Sequence, residues 1–221
     1  MKAKIEETEI VNEVSESYAL VRDQAPVEGA GFSADDIDIP KLNVLQKMSQ
    51  ITGPTGSIII DQKHVIAAPE QKLSVIVLSA TKKWKEELPY DSDIMPKFAN
   101  NQQAADALAA TSELAILEFA EIRMLIQEYP DCNDEAFIYP IGDKNYAIGR
   151  ITVQKDAYRC TFKRLATFQA FNPKIQLCTK LWAFSTELMT KGKYSWYVPT
   201  LSITKEDSPV EAVEFATRSA Q

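Results

Sequence analysis

The chain is 221 residues long, 45% hydrophobic and 25% charged, which is ordinary globular usage and enough for one full-sized core. No window approaches the roughly 18 uninterrupted apolar residues of a membrane helix. The opening Met1-Lys2-Ala3-Lys4-Ile5-Glu6-Glu7 lacks the apolar stretch of a secretory signal, so the cytoplasm is the expected compartment and no membrane attachment is expected. His64 is the single histidine, and the three cysteines Cys132, Cys160 and Cys178 show no C-x-x-C spacing. Disulfide frameworks, structural zinc and His-rich sites are therefore not indicated, and no cofactor is expected.

Residues 1–40 carry three basic and ten acidic side chains. With few aromatics and the punctuating Pro26-Val27-Glu28-Gly29-Ala30-Gly31, residues 1–35 read as a disordered acidic arm. A domain over residues 36–205 is expected to follow, with Pro40 imposing an extended start on the apolar stretch at Leu42-Asn43-Val44-Leu45. The turn signal Gly53-Pro54-Thr55-Gly56 leads into a β-branched strand at Ser57-Ile58-Ile59-Ile60. Residues 73–80 are apolar on both faces, as a doubly covered central strand is. Residues 84–100, broken by Pro89 and Pro96, read as irregular, and the Ala-rich residues 101–110 as a short inserted helix.

Residues 114–129 fit both periodicities. A strand from about Phe119 is the better reading, because Pro130 and Asp131-Cys132-Asn133-Asp134 close it. Residues 136–141 and 145–153 flank Gly142-Asp143 and pair as a hairpin. Residues 157–170 have the length of a helix, with Tyr158, Phe162, Leu165 and Phe168 at helical spacing and Arg159, Lys163 and Arg164 beside them. Two strands, 176–184 and 194–203, flank the Lys191-Gly192-Lys193 turn. Residues 206–221 form a short helix and tail, with Ser208, Pro209 and Glu211 matching a capping box. The order predicts a mainly β chain with inserted helices, an α+β fold.

The net charge of -7 hides a strong asymmetry, because residues 144–200 hold ten basic side chains against two acidic. The same stretch holds ten of the chain's twenty aromatics. Strand alternation in residues 176–184 puts Leu177, Thr179, Leu181 and Ala183 on one face, read as the core, and leaves Lys180 and Trp182 outward. Cations that follow phosphates and flat rings on which unpaired bases stack are what single-stranded nucleic acid requires. The candidate contacts are Arg150, Tyr158, Arg159, Lys163, Arg164, Lys180, Trp182, Phe184, Lys191, Lys193, Tyr194 and Trp196. The competing reading is that Trp182, Phe184 and Trp196 are ordinary core residues of a sheet.

The stretch Ile39-Pro40-Lys41-Leu42-Asn43-Val44-Leu45-Gln46 with Ser49, the closing Lys193-Tyr194-Ser195-Trp196-Tyr197-Val198-Pro199, and the basic aromatic strands after an acidic arm together resemble the OB-fold single-stranded-DNA-binding proteins of bacteriophages. The resemblance implies an OB-like five-stranded barrel that coats single-stranded DNA without strong sequence preference. It also implies a non-enzymatic role in phage replication or recombination in the host cytoplasm, with the acidic arm recruiting replication or recombination proteins. Residues 212–221 depart from the pattern, since they lack an acidic tail ending in an aromatic. Two other classes compete: a protein-interaction module, such as a virion or anti-defence accessory, and a metal-dependent nuclease. The latter would use Asp61, Glu70 and Lys72, in the Asp, Glu-x-Lys order that holds Mg²⁺ and positions water. Glu70, directly after Pro69 and ahead of its strand, is poorly placed for it.

Overall fold

The computed structural model describes residues 38–219 apart from 90 and 133; the acidic arm expected at residues 1–35 lies outside the described residues. The described chain contains ten strands and four α-helices, besides short 3₁₀ turns. The strands are β1 (Leu42–Val44), β2 (Ile58–Ile60), β3 (His64–Ala67), β4 (Leu73–Glu86), β5 (Phe98–Ala99), β6 (Ile116–Gln127), β7 (Tyr139–Ile141), β8 (Lys144–Gln154), β9 (Lys180–Lys191) and β10 (Tyr194–Asp207). The helices are α1 (Gln102–Thr111), α2 (Lys155–Cys160), α3 (Phe162–Phe171) and α4 (Val210–Ser219). Mainly β with a few helices is therefore the observed class.

All pairings between named strands are antiparallel. The large sheet runs β10-β9-β4-β6-β8-β7, with β5 also on β4, and β1-β2-β3 form a separate small sheet. An OB-like ring of five strands is not what this pairing describes, because the order ends at β10 and β7 and leaves the sheet open. Near β10 and β8 the small sheet touches the large one at isolated points instead of along a ladder. The Arg150 N–H donates to the Pro40 carbonyl at 2.9 Å, and Gln46 binds the backbone of Tyr197.

The long strand β4 explains how the sheet is covered on both faces. Its alternate residues Leu73, Val75 and Val77 join the main core with β2, β3, Trp182 and Phe184. Ile76 joins a second cluster with Leu125, Tyr146 and Leu181, into which α4 packs Ala212 and Ala216. The doubly covered strand expected at residues 73–80 is thus observed, and it runs six residues further, to Glu86. Trp84 in that extension packs against Ala99 and Ala105 of β5 and α1, so the segment expected as irregular from residue 84 begins as strand. Within residues 114–129 the strand reading holds, and β6 begins at Ile116, three residues before the expected Phe119.

Several local expectations are corrected. The helix expected at residues 157–170 is two helices, broken at Thr161 (φ -121°, ψ -80°), whose hydroxyl donates back to the Ala157 carbonyl at 2.6 Å. Such back-bonding competes with helix continuation. Leu177–Thr179 is a 3₁₀ turn, and the strand starts only at Lys180. Ser208 does not close a capping box: its buried hydroxyl has no hydrogen-bond partner among the described residues, while the Pro209 carbonyl accepts from Ala212 and Val213. Both expected tight turns are present, with Gly142 and Gly192 at positive φ.

Candidate nucleic-acid interface

The strongest correction concerns β9. Trp182 is 1% exposed and Phe184 0%, the reverse of the outward face expected for them. The Trp182 ring meets Phe168 edge-on at 5.3 Å, and its indole N–H is satisfied by the Leu177 carbonyl at 3.1 Å. Leu181, on the other face, is buried too, under α4. Alternation alone could not choose between faces that are both covered, and the larger rings took the deeper core. Tyr158 is also a core residue, 6% exposed and stacked on Phe162 at 5.0 Å; burial, then the nearby Glu118 carboxylate, pushes its phenol pKa up. These three rings are in no position to stack on bases.

The helical cations fare differently. Arg159, Lys163 and Arg164 line one groove together with Thr167, Phe168, Trp182, Leu201, Ser202 and Ile203, a space of about 570 Å³ between α2–α3 and β10. No carboxylate lines it. Arg159 is steadied by Asp156 at 3.4 Å, and the Arg164 guanidinium donates to the Leu201 carbonyl at 3.1 Å. Lys163 forms no ion pair among the described residues and is exposed.

The backbone of β10 meets this groove at the Leu201 carbonyl. Tyr197 gives its N–H to Gln46 rather than to β9, so Tyr197 and Leu188 are a non-hydrogen-bonded pair, and with unbroken register the same holds at Pro199 and Leu201. These residues turn their polar groups away from β9. Pro199 has no N–H to offer, a common device on edge strands, and Arg164 occupies the Leu201 carbonyl.

Other expected contacts are scattered. Arg150 lies on β8 opposite Arg123 of β6. Lys180 is held by Asp207 in an ion pair outside the groove. Lys191, Lys193 and Tyr194 gather at the tip of the β9–β10 hairpin, where Tyr194 is 65% exposed and the Lys193 ammonium sits 5.4 Å from its ring centre. Trp196 is half-buried and lines a second cleft beside the first turn of α2. Phe171, absent from the expected set, is 83% exposed at the end of α3, seven residues after Arg164 and so on the same helical face. Its spacing was readable; the groove's second wall, supplied by β10, was not.

The carboxylates considered for a metal lie on either side of β3. Asp61 precedes β3 and Glu70 follows it, Asp61 neighbours Lys63 at 3.7 Å, and among the described residues no group of three or more His, Cys, Asp or Glu could hold a metal ion. The cysteines are unpaired thiols. No helix among the described residues is long and apolar enough to cross a membrane. In comparisons with protein-family models, curated proteins and solved structures, nothing matches this chain.

Proposed function

We propose that the chain binds single-stranded DNA by its backbone, without bond breaking, in the groove between α2–α3 and β10. One observation carries the reading: three cations, one of them, Lys163, with no ion pair or side-chain hydrogen bond among the described residues, converge on a groove that no carboxylate lines. Phosphate oxygens are the ligand that such donors suit. The exposed ring of Phe171, at the end of the same helix, and those of the hairpin tip replace Trp182 and Phe184 as surfaces for base stacking. Coating of strands during phage replication or recombination is the biological setting this reading proposes, on an open sheet in place of a closed OB barrel.

The test is a titration of the purified chain with a labelled oligothymidine of about thirty nucleotides and with a duplex of equal length, at two salt concentrations, followed by anisotropy. Salt-sensitive binding to the single strand, weakened in Lys163→Gln, is the expected result. Absence of binding at low salt overturns it. A second reading, docking of a protein partner, is favoured by Ile94, Met95 and Phe98, which are all exposed on the β4–β5 connection and β5. Unimpaired DNA binding by Met95→Ser with loss of a co-purifying protein would separate the two.

A further inference from the structure

The groove is only half of what β10 carries. A second cleft, of about 440 Å³, lies next along the same strand, between Trp196–Pro199, the end of β8 and β1. The first turn of α2 separates the two: Lys155, Asp156 and Ala157 line the cleft, and Arg159 lines the groove. Their chemistry differs sharply. In the cleft the charges cancel, because Asp156 is drawn to Arg159 at 3.4 Å and Lys155 is bound to Glu87 at 2.6 Å. What remains available is amide and hydroxyl. Asn43, Thr152 and Gln154 line the cleft, and among the described residues their side chains have no hydrogen-bond partner. Trp196 contributes an aromatic surface, while Leu42, Val44 and Val198 add apolar lining.

We propose that this cleft is a nucleobase subsite, in which a base of the strand held by the groove stacks on Trp196 and exchanges hydrogen bonds with Asn43 and Gln154. The inference rests on the single-strand reading above and divides its labour: the cationic groove takes phosphate, the neutral cleft takes a base. A neutral pocket with side-chain amides and aromatic lining suits a planar, uncharged, hydrogen-bonding ligand, and its volume lies in the range of small-ligand sites. A phosphate would instead meet Asp156 with its nearest cations already engaged. Lys155, at the junction of β8 and α2, holds a left-handed backbone with φ 54°, an arrangement that non-glycine residues adopt at a cost and that concentrates at ligand sites. From Trp196 to Ile203 an extended strand spans about 23 Å, so only an oligonucleotide of several residues reaches both sites.

Two strands and a nucleoside test this with the full chain: oligothymidine, an abasic oligomer of equal length, and free deoxythymidine, read by anisotropy and by tryptophan emission. Of the three tryptophans, Trp84 and Trp182 are buried, so quenching reports Trp196. Wild type should bind oligothymidine about tenfold more tightly than the abasic strand, within what one stacked base contributes, and deoxythymidine should quench weakly. Trp196→Ala should narrow the gap between the two strands by weakening only the oligothymidine, Asn43→Ala should narrow it less, and Lys163→Gln should weaken both strands alike. Should Trp196→Ala fail to fold, Trp196→Phe, which keeps a ring, should retain most of the discrimination. Equal affinity of wild type for both strands, or full discrimination by folded Trp196→Ala, overturns the subsite and leaves the phosphate groove standing. No binding of any strand overturns both.

Discussion

The side-chain amide of Gln46 pairs with the backbone of Tyr197, donating from Nε2 to its carbonyl at 2.8 Å and accepting its N–H through Oε1 at 3.0 Å. One side chain thereby stands in for a neighbouring strand on the outer edge of β10. Unpaired strand edges recruit other strands. Gln46→Ala should remove two hydrogen bonds, each worth about 0.5–1.5 kcal/mol net, and free both groups. A lowered melting temperature together with concentration-dependent sedimentation is expected; an unchanged melt would show that the pairing contributes nothing.

Gly149 is where β1 meets β8. A Cβ built there would stand 2.7 Å from Leu42 Cγ, and Leu42 is fully buried. Gly149→Ala should destabilise by about 1–3 kcal/mol through overpacking. Leu42→Ala alone should also destabilise, by about 2–5 kcal/mol through the cavity it leaves. The pair should cost less than the sum, since the new methyl enters the space Leu42 vacates. Denaturant unfolding of the four proteins measures the coupling, and strict additivity would contradict the close approach.

Groove and non-groove cations should separate by salt dependence. Each phosphate contact on a single strand contributes about 0.7 to the slope of log affinity against log salt. Arg159→Gln and Lys163→Gln should each lower that slope, by up to this amount. Lys180→Gln should not, because its ammonium is committed to Asp207 and it lies outside the groove. A loss of slope in Lys180→Gln equal to that in Lys163→Gln would move the binding face elsewhere.

Acid should loosen the attachment of α1 before the rest. The Glu86 carboxyl is held below its ordinary pKa by the Lys97 backbone N–H, at 2.9 Å, and then by the Ser112 hydroxyl, at 2.7 Å. A lowered pKa means that the folded state binds fewer protons than the unfolded one. Its contribution is therefore complete above the ordinary value of 4.5 and is lost as pH falls through the lower folded value. Glu128 is lowered likewise by Asn145, through its backbone and then its side chain. Glu86→Gln should therefore remove part of the acid sensitivity of the melting temperature. Hydrogen exchange at Lys97, compared with Asn145 in the same variant, checks that the effect is local.

Features written in neighbouring residues were legible without a structure. Gly142 and Gly192 mark their turns because few other residues accept positive φ; Asn101, read as the first residue of the helix, instead caps α1 through the Ala104 N–H at 2.8 Å. Arg159 and Lys163, at the four-residue spacing of one helical face, line one groove with the adjacent Arg164 although the Thr161 break falls between them. Burial in β9 and β10 was decided elsewhere. Which face of a strand is buried depends on what covers each side, and here α3 reaches Trp182 from one side while α4 reaches Leu181 from the other, from distant parts of the chain. The same holds for charge: Lys180 and Lys163 look alike in sequence, and only the return of β10 places Asp207 on one and an open groove beside the other. Periodicity and turn chemistry act over a few residues and so belong to the sequence; the choice of partner across a core or a groove is a tertiary event.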